Sequence, residues 1–254
     1  MKTNTDSAVS IVVPTLNEED NIEPLIKRID TSMKRARLDY SVIVIDDHSV
    51  DKTEEKVKRM RRMNFPVMFQ KKRGKRGKAF SLIQGFNTAD NDVVCMIDAD
   101  LQYPPEAIPQ MVRTIENHDV DVVLTHRIER QTSPLRRLVS KTYNIVFARW
   151  LFGIDYDTQS GLKVFRRNVM KDMKLKPSPW SFDLEFITKC LQRKKRIVSQ
   201  AIQFADREHG EAKVSVIKSS FELAKASLDL RRRVSRRAIR EGFEYTQPLQ
   251  RMNF

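Results

Sequence analysis

Two cysteines in 254 residues exclude a disulfide framework, and with it the small secreted scaffolds that depend on one. Cys95 lies inside the apolar run Val93 to Ile97 and reads as a small core residue, so reducing surroundings are the default. No hydrophobic signal region follows Met1: the start, Met1-Lys2-Thr3-Asn4-Thr5-Asp6-Ser7, is polar, and no leader is expected. Long apolar runs are missing too. The longest, Tyr143 to Ile154, is too short to span a bilayer and contains Arg149, so any membrane contact is expected to be peripheral. There is no internal repeat and no low-complexity linker. After the first apolar run stands Pro14-Thr15-Leu16-Asn17 rather than a glycine-rich phosphate loop, which argues against a nucleotidyltransferase. Acidic residues are in deficit: 33 against 47 lysines and arginines, a net charge of +14. That balance predicts an anionic partner, either nucleic acid, a membrane surface or a phosphorylated substrate. The aromatics are not interleaved with the basic runs as base-stacking platforms would be, so no specific nucleic-acid partner is expected.

What is present is alternation. Short β-type runs, Ser10 to Pro14, Tyr40 to Ile45, Pro66 to Gln70 and Val93 to Ile97, are separated by helical patterns. The first helix opens near Thr15-Leu16-Asn17-Glu18-Glu19, with Asn17 as its cap; others are expected over Lys52 to Arg62 and Ala79 to Thr88. Alternation of this kind predicts a parallel α/β sheet with right-handed crossovers and a ligand beyond the carboxyl ends of the strands. Pro14, Asp47, the basic loop Lys71 to Lys78 and Asp98-Ala99-Asp100 all fall on that rim. Further strands are expected at Val120 to Leu124, Leu162 to Phe165 and Ile197 to Phe204, a long apolar-rich helix over Pro134 to Phe152, and a helix within Pro177 to Leu191.

The fourth run ends in Asp98-Ala99-Asp100-Leu101-Gln102. Two aspartates two apart face the same way on an extended chain. With the Gln102 amide oxygen they are hard donors, suited to Mg²⁺ or Mn²⁺ rather than zinc. Taken alone, D-x-D reads equally as a strand end with two solvated aspartates. An aspartyl phosphotransferase would carry the motif after its first strand, and here it follows the fourth.

These residues together resemble the family-2 glycosyltransferases, most closely the dolichyl-phosphate mannose synthase and polyprenyl-phosphate glycosyltransferase branch. Val12-Val13-Pro14-Thr15-Leu16-Asn17-Glu18 is similar to the family's first nucleotide-binding motif, and Ile45-Asp46-Asp47-His48-Ser49-Val50-Asp51-Lys52-Thr53 to its second. Arg76-Gly77-Lys78-Ala79-Phe80-Ser81-Leu82 resembles the loop and helix under the nucleotide. Asp98-Ala99-Asp100-Leu101-Gln102 with Pro104 resembles the metal motif, and Asp206 to Lys213 the R-x-x-G-x-S-K segment. His48 and Ala79 stand where glycine is usual, and Thr125-His126 precede Arg127 where Gly-Ser is usual. The resemblance covers residues from about 9 to 228. It implies a GT-A fold, a Rossmann-like mostly parallel sheet with helices on both faces. It also implies an inverting, metal-dependent transfer of a hexose, mannose or glucose, from a GDP- or UDP-sugar. Residue by residue, it places Pro14, Leu16, Glu18, Asp47, Arg76 and Asp98 at the nucleotide, and Asp100 with Gln102 on the metal. Arg127, Arg136, Arg207 and Lys213 become phosphate clamps, and Asp98, Asp100, Arg127 and Arg207 the catalytic set. For Asp47 the competing reading is a structural Asx turn.

The acceptor decides whether a base is needed. A lipid phosphate is already an anion and needs none; a sugar hydroxyl does, and Asp183 or Glu185 is then the candidate, unless Asp183 is simply an acid at a helix start. Between Lys213 and Arg240 stand nine lysines or arginines against Glu222 and Asp229, on helices with apolar stripes. This predicts a basic amphipathic extension, residues 213–254, after a catalytic domain over 1–212. It either packs on the domain or lies on an anionic membrane. The charge and the apolar-rich helix favour a polyprenyl phosphate acceptor at the cytosolic membrane face over a saccharide hydroxyl. The resemblance also leaves room for a small membrane subunit.

Overall fold

The computed structural model describes residues 8–128, 160–176, 182–205 and 216–250. Among them seven strands form one sheet in the order β3-β2-β1-β4-β6-β5-β7. The strands are β1 (Val9–Thr15), β2 (Tyr40–Asp46), β3 (Val67–Lys71), β4 (Val93–Met96), β5 (Val122–Ile128), β6 (Lys163–Arg166) and β7 (Ile197–Gln203). Neighbours run parallel except at β6, which lies antiparallel between β4 and β5. The helices are α1 (Glu19–Arg35), α2 (Thr53–Arg62), α3 (Lys78–Thr88), α4 (Ile108–Asn117), α5 (Phe182–Gln192), α6 (Val216–Arg233) and α7 (Arg236–Gln250). The apolar-rich stretch Pro134 to Phe152 lies outside the described residues.

Both faces of the sheet are covered, and the period-2 alternation of strand side chains divides the core in two. Val9, Ile11, Val13, Val42 and Val44 point to α1, α2 and α4, meeting Ile22, Leu25, Ile26, Val57, Met111 and Ile115. Val12, Ile43, Ile45 and Val94 point to the opposite layer, with Leu82 and Phe86 of α3 and Phe182, Phe186 and Leu191 of α5. Burial on both sides explains why β1, β2 and β4 read as unbroken apolar runs.

Three local expectations change. Pro14 does not stop β1; the strand continues to Thr15 beside β2. Pairing with β4 ends at Val12 opposite Met96, so the missing N–H of Pro14 falls beyond that ladder. Asn17 does not cap α1. It takes a left-handed backbone (φ 51°) and bridges to the β2–α2 loop, its N–H donating to Ser49 Oγ at 2.8 Å and its Oδ1 accepting from Val50 N–H at 2.9 Å. The first N–H groups of α1 are capped from that same loop: Glu18 N–H by Thr53 Oγ1 at 2.9 Å and Glu19 N–H by Asp51 Oδ2 at 3.0 Å. Finally, β5 runs on through Thr125, His126 and Arg127, so these residues lie in a strand rather than after one.

The C-terminal helices spend apolar surface on the domain. Leu230 and Ile239 are fully buried and Val234 nearly so, within the α3–α5 layer. At Gly242 the approach is closest: an added Cβ would stand 1.9 Å from the Leu191 carbonyl oxygen at the end of α5. Backbone atoms cannot yield as a flexible side chain can. Gly242→Ala should therefore lose about 2 kcal/mol despite alanine's better helix propensity, seen as a Tm lower by roughly 4–8 °C. A raised Tm would mean that α7 does not dock this closely.

Candidate active site

Beyond the carboxyl ends of β1, β2 and β4 lies a cleft of about 270 Å³. Its lining contains Pro14, Leu16, Glu18, Asp47, Asp98 and Asp100, which sequence reasoning selected, and also Thr15, Gly77, Lys78, Ser81 and Ala99.

Asp46 ends β2, Asp47 follows it, and the two divide the work. Asp46 is the turn-former: its Oδ2 accepts from Ser49 N–H at 2.9 Å, and its Oδ1 from Ser49 Oγ at 2.5 Å and Thr15 Oγ1 at 3.1 Å. This leaves Asp47 to face the cleft. Lys72, whose side chain is fully buried, sets its ammonium 2.5 Å from Asp47 Oδ1. Gly77 N–H donates to Oδ2 at 2.6 Å and His48 Nδ1 stands 3.2 Å from Oδ1. Burial opposes ionisation of Asp47, but the bonds from Lys72, Gly77 and His48 outweigh it and hold the carboxyl below its ordinary range.

The other pole is Asp98-Ala99-Asp100. β4 stops at Met96, and the motif sits in the turn that follows, with Leu101 in a left-handed backbone (φ 61°). The aspartates thus reach one cleft through a turn, not through the pleat of an extended strand. Lys78, the first residue of α3, places its ammonium 2.6 Å from Asp98 Oδ1. Burial pushes the Asp98 carboxyl up against the pull of Lys78, and the charge of Asp100 adds to the rise. For Lys78 burial would lower the pKa, but the charges of Asp98 and then Asp183 prevail and raise it. Behind Asp98 packs Gly161, just before β6.

Gln102 is buried. Its Nε2 donates to the Ala205 carbonyl at 3.4 Å, and its backbone N–H to Asp100 Oδ1 at 3.3 Å. The amide oxygen remains the acceptor end of that side chain. Among the described residues no three His, Cys, Asp or Glu side chains cluster to hold an ion. Two carboxylates in one cleft do suit Mg²⁺ or Mn²⁺, which are commonly held by one or two carboxylates together with substrate phosphates.

The remaining assignments separate. Arg76 is not in the cleft lining; Lys78, two residues on in the same loop, is, and sequence reasoning passed it over. Glu185 is not placed to serve as a base. Its side chain is fully buried, paired with Lys189 Nζ at 2.8 Å and Arg233 at 3.7 Å, and it accepts from Lys176 N–H at 3.2 Å. Asp183 stands nearer and acts electrostatically on both Lys78 and Asp98. Its Oδ1 is held at 2.6 Å by the ammonium of Lys163, itself fully buried and also donating to the Ser160 carbonyl. Arg127 is in β5, and Arg136, Arg207 and Lys213 lie outside the described residues.

The family model for glycosyl transferase family 2 matches residues 10–174, which include both poles of this cleft. The chain belongs to glycosyl transferase family 2. A dolichol-phosphate mannosyltransferase of Pyrococcus furiosus is 32% identical over 213 residues, covering 81% of this chain and 59% of that protein. An undecaprenyl-phosphate 4-deoxy-4-formamido-L-arabinose transferase of Proteus mirabilis is 32% identical over 212 residues, covering 83% of this chain and 64% of that protein. The chain thus spans less than two thirds of the length of these relatives. Glucosyl-3-phosphoglycerate synthase from Mycobacterium tuberculosis, solved with Mn²⁺, UDP-glucose and phosphoglyceric acid, superposes with a TM-score of 0.68 at 18% identity, over 89% of this chain and 80% of that one. The fold of this family-2 chain is GT-A. No helix among its described residues is long and apolar enough to cross a membrane.

Proposed function

We propose that the cleft binds a nucleotide sugar and that the chain transfers its hexosyl group, mannose or glucose, to a polyprenyl phosphate. The observation that carries this is the joining of two poles in one cleft: Asp47 with the Gly77 loop at one end, Lys78 with Asp98 and Asp100 at the other. The first suits the N–H and hydroxyl donors of a base and ribose, the second a diphosphate with its ion. When bound, a divalent ion held by Asp100 with the Gln102 amide oxygen would neutralise charge on the departing nucleoside diphosphate, with Asp98 facing the donor. Lys78 adds a fixed cation on the same side. The relatives that act on dolichol phosphate and undecaprenyl phosphate support the lipid acceptor.

The base question favours the same acceptor. Glu185 is buried in ion pairs, and Asp183 already holds the Lys163 ammonium. A phosphate oxygen needs no proton removed. It attacks C1 of the sugar, the C1–O bond to the diphosphate breaks, and the nucleoside diphosphate leaves with the bonding electrons; the product is inverted at C1. Arg127, Arg136, Arg207 and Lys213 are the cations that would hold the acceptor phosphate. Exposed Arg232, Arg237 and Arg240 on α6 and α7 suit an anionic membrane face, on the cytosolic side where nucleotide sugars are made available.

The test incubates the full chain with Mn²⁺ or Mg²⁺, GDP- and UDP-hexoses and short polyprenyl phosphates, and reads glycolipid by mass spectrometry. Metal-dependent glycolipid formation is expected, abolished by a chelator. No glycolipid with any donor, or transfer to free saccharides alone, would sink the lipid-acceptor reading.

A further inference from the structure

Two loops meet beyond the carboxyl ends of β2 and β3, residues 47–52 and 72–77, and Asp47 joins them. Lys72 N–H donates to the Asp46 carbonyl at 2.8 Å, its buried ammonium reaches Asp47 Oδ1 at 2.5 Å, and Gly77 N–H donates to Asp47 Oδ2 at 2.6 Å. The second loop is thus riveted at both ends to one carboxylate. Between the rivets Arg73, Gly74, Lys75 and Arg76 are all exposed, and none of the four is in the cleft lining. The tip stands clear of the domain: at Gly74 (φ 80°) an added Cβ would meet nothing within 4 Å. Arg73 N–H donates to Gln84 Oε1 at 2.9 Å, which steadies the tip against α3.

The charges at this tip are uncompensated. Among the described residues Arg73, Lys75 and Arg76 have no carboxylate partner. The acids nearby are engaged elsewhere: Glu54 with Lys71 at 2.9 Å and Lys58 at 2.7 Å, Asp51 with Thr53 Oγ1 at 2.6 Å, and Asp46 with Ser49 N–H at 2.9 Å. The neighbouring loop adds an apolar tip. Val50 is 88% exposed, more than any other large apolar side chain among the described residues. A solvated basic loop has no need of such a neighbour, and a riveted neck presents its cations with little ordering left to do on contact. No Phe, Tyr or Trp lies in either loop, so neither offers a stacking platform for nucleic-acid bases. Cations around an exposed apolar side chain suit the interface of an anionic bilayer, where the charges meet lipid phosphates and the side chain enters the headgroup layer.

We propose that these two loops form a docking surface for anionic phospholipid, with Arg73, Lys75 and Arg76 on the headgroups and Val50 inserted among them. The surface lies on the same rim as the cleft, so docking turns the mouth of the cleft toward the bilayer that holds the acceptor. It is separate from the cations of α6 and α7, and it rests on the lipid-acceptor reading for its purpose.

Sedimentation of the full chain with phosphatidylcholine vesicles, with and without phosphatidylglycerol, tests it. Removing two interfacial cations in Arg73→Gln/Lys75→Gln should weaken binding to the anionic vesicles about 30-fold and lower its salt dependence. Val50→Ser should weaken binding about threefold and leave the salt dependence unchanged, because that contact is apolar. Arg61→Gln/Arg62→Gln, exposed at the far end of α2, changes the net charge equally and should keep binding within about twofold of the wild type. Transfer to a polyprenyl phosphate carried in the anionic vesicles should fall with binding in the loop variant, while transfer to a short, water-soluble polyprenyl phosphate is kept. Unchanged vesicle binding in the loop variant, or an equal loss in the α2 control, would overturn the surface. So would a loop variant that loses retention on DNA and keeps its hold on vesicles. A wild type that binds the vesicles through this loop yet transfers to no polyprenyl phosphate would support the surface and overturn the acceptor reading.

Discussion

Asp100→Ala is expected to remove glycosyl transfer, with kcat/KM lower by about 10³-fold or more, while Tm stays within about 2 °C of the wild type. A ligand that lets an ion neutralise a leaving diphosphate acts mainly in the transition state, and losing one such electrostatic contact commonly costs 10²–10³. Losing a carboxylate also weakens the ion itself, and the two effects compound. The fold should tolerate the change because Asp100 sits half-buried in a turn after β4, outside the sheet ladder. Surface substitutions away from packed features usually shift stability by less than about 0.5 kcal/mol. Glycolipid formation under single turnover and Mn²⁺ affinity by paramagnetic resonance would be read side by side. A variant that transfers at the wild-type rate removes Asp100 from the metal role.

The contrast between Asp100 and its neighbours shows how far the sequence could be read. The strand ends were legible because β1, β2 and β4 are buried on both faces, which makes their apolar runs continuous. Asp98 and Asp100 line one cleft, but for another reason than alternation along a strand: β4 stops at Met96 and a left-handed Leu101 shapes the turn. What was not legible depends on partners far away in the chain. Asn17 has the composition of a helix cap, yet Ser49 and Val50 claim it from 32 and 33 residues on. Lys72 lies in a run of eight residues that reads as a solvated basic loop, and only the placement of Asp47 explains its burial. In the same loop Arg76 and Lys78 are equal as charges. Which of them faces the cleft is set by where α3 begins, at Lys78, and helix starts are the least certain feature of a sequence pattern. Glu185 carries the composition of a base; Lys189 pairs with it one turn on within α5, and Arg233 reaches it only when α6 is folded back on α5.

The antiparallel β6 is the largest of these long-range features, and it leads to the second strong effect. Gly161→Ala should lower activity by about 10²-fold and stability by about 2 kcal/mol together. Continuing the register Cys95 opposite Val164 and Met96 opposite Lys163 brings Gly161 against Asp98. An added Cβ would stand 2.3 Å from Asp98 Oδ2, 2.6 Å from its Cγ and 2.7 Å from the Tyr103 ring. The glycine is needed here for space rather than for backbone freedom. None of these neighbours can retreat cheaply. Asp98 is fixed by Lys78 at 2.6 Å, and Tyr103 is buried with its ring edge against Phe204 at 5.0 Å. Shifting β6 instead would disturb Lys163, whose buried ammonium depends on Asp183 and would be left without its carboxylate. The methyl group must therefore displace the Asp98 carboxylate, and an error near 1 Å at a reacting site commonly costs about 10² in rate. A fall in activity with Tm unchanged would mean that Asp98 moves alone, and a fall in Tm with activity kept would mean that β6 absorbs the strain. Only an unchanged Tm together with unchanged kcat/KM would show that Gly161 does not press on Asp98. Because the same contact links the sheet to the cleft, the geometry of Asp98 is set as much by β6 as by the strand that carries it.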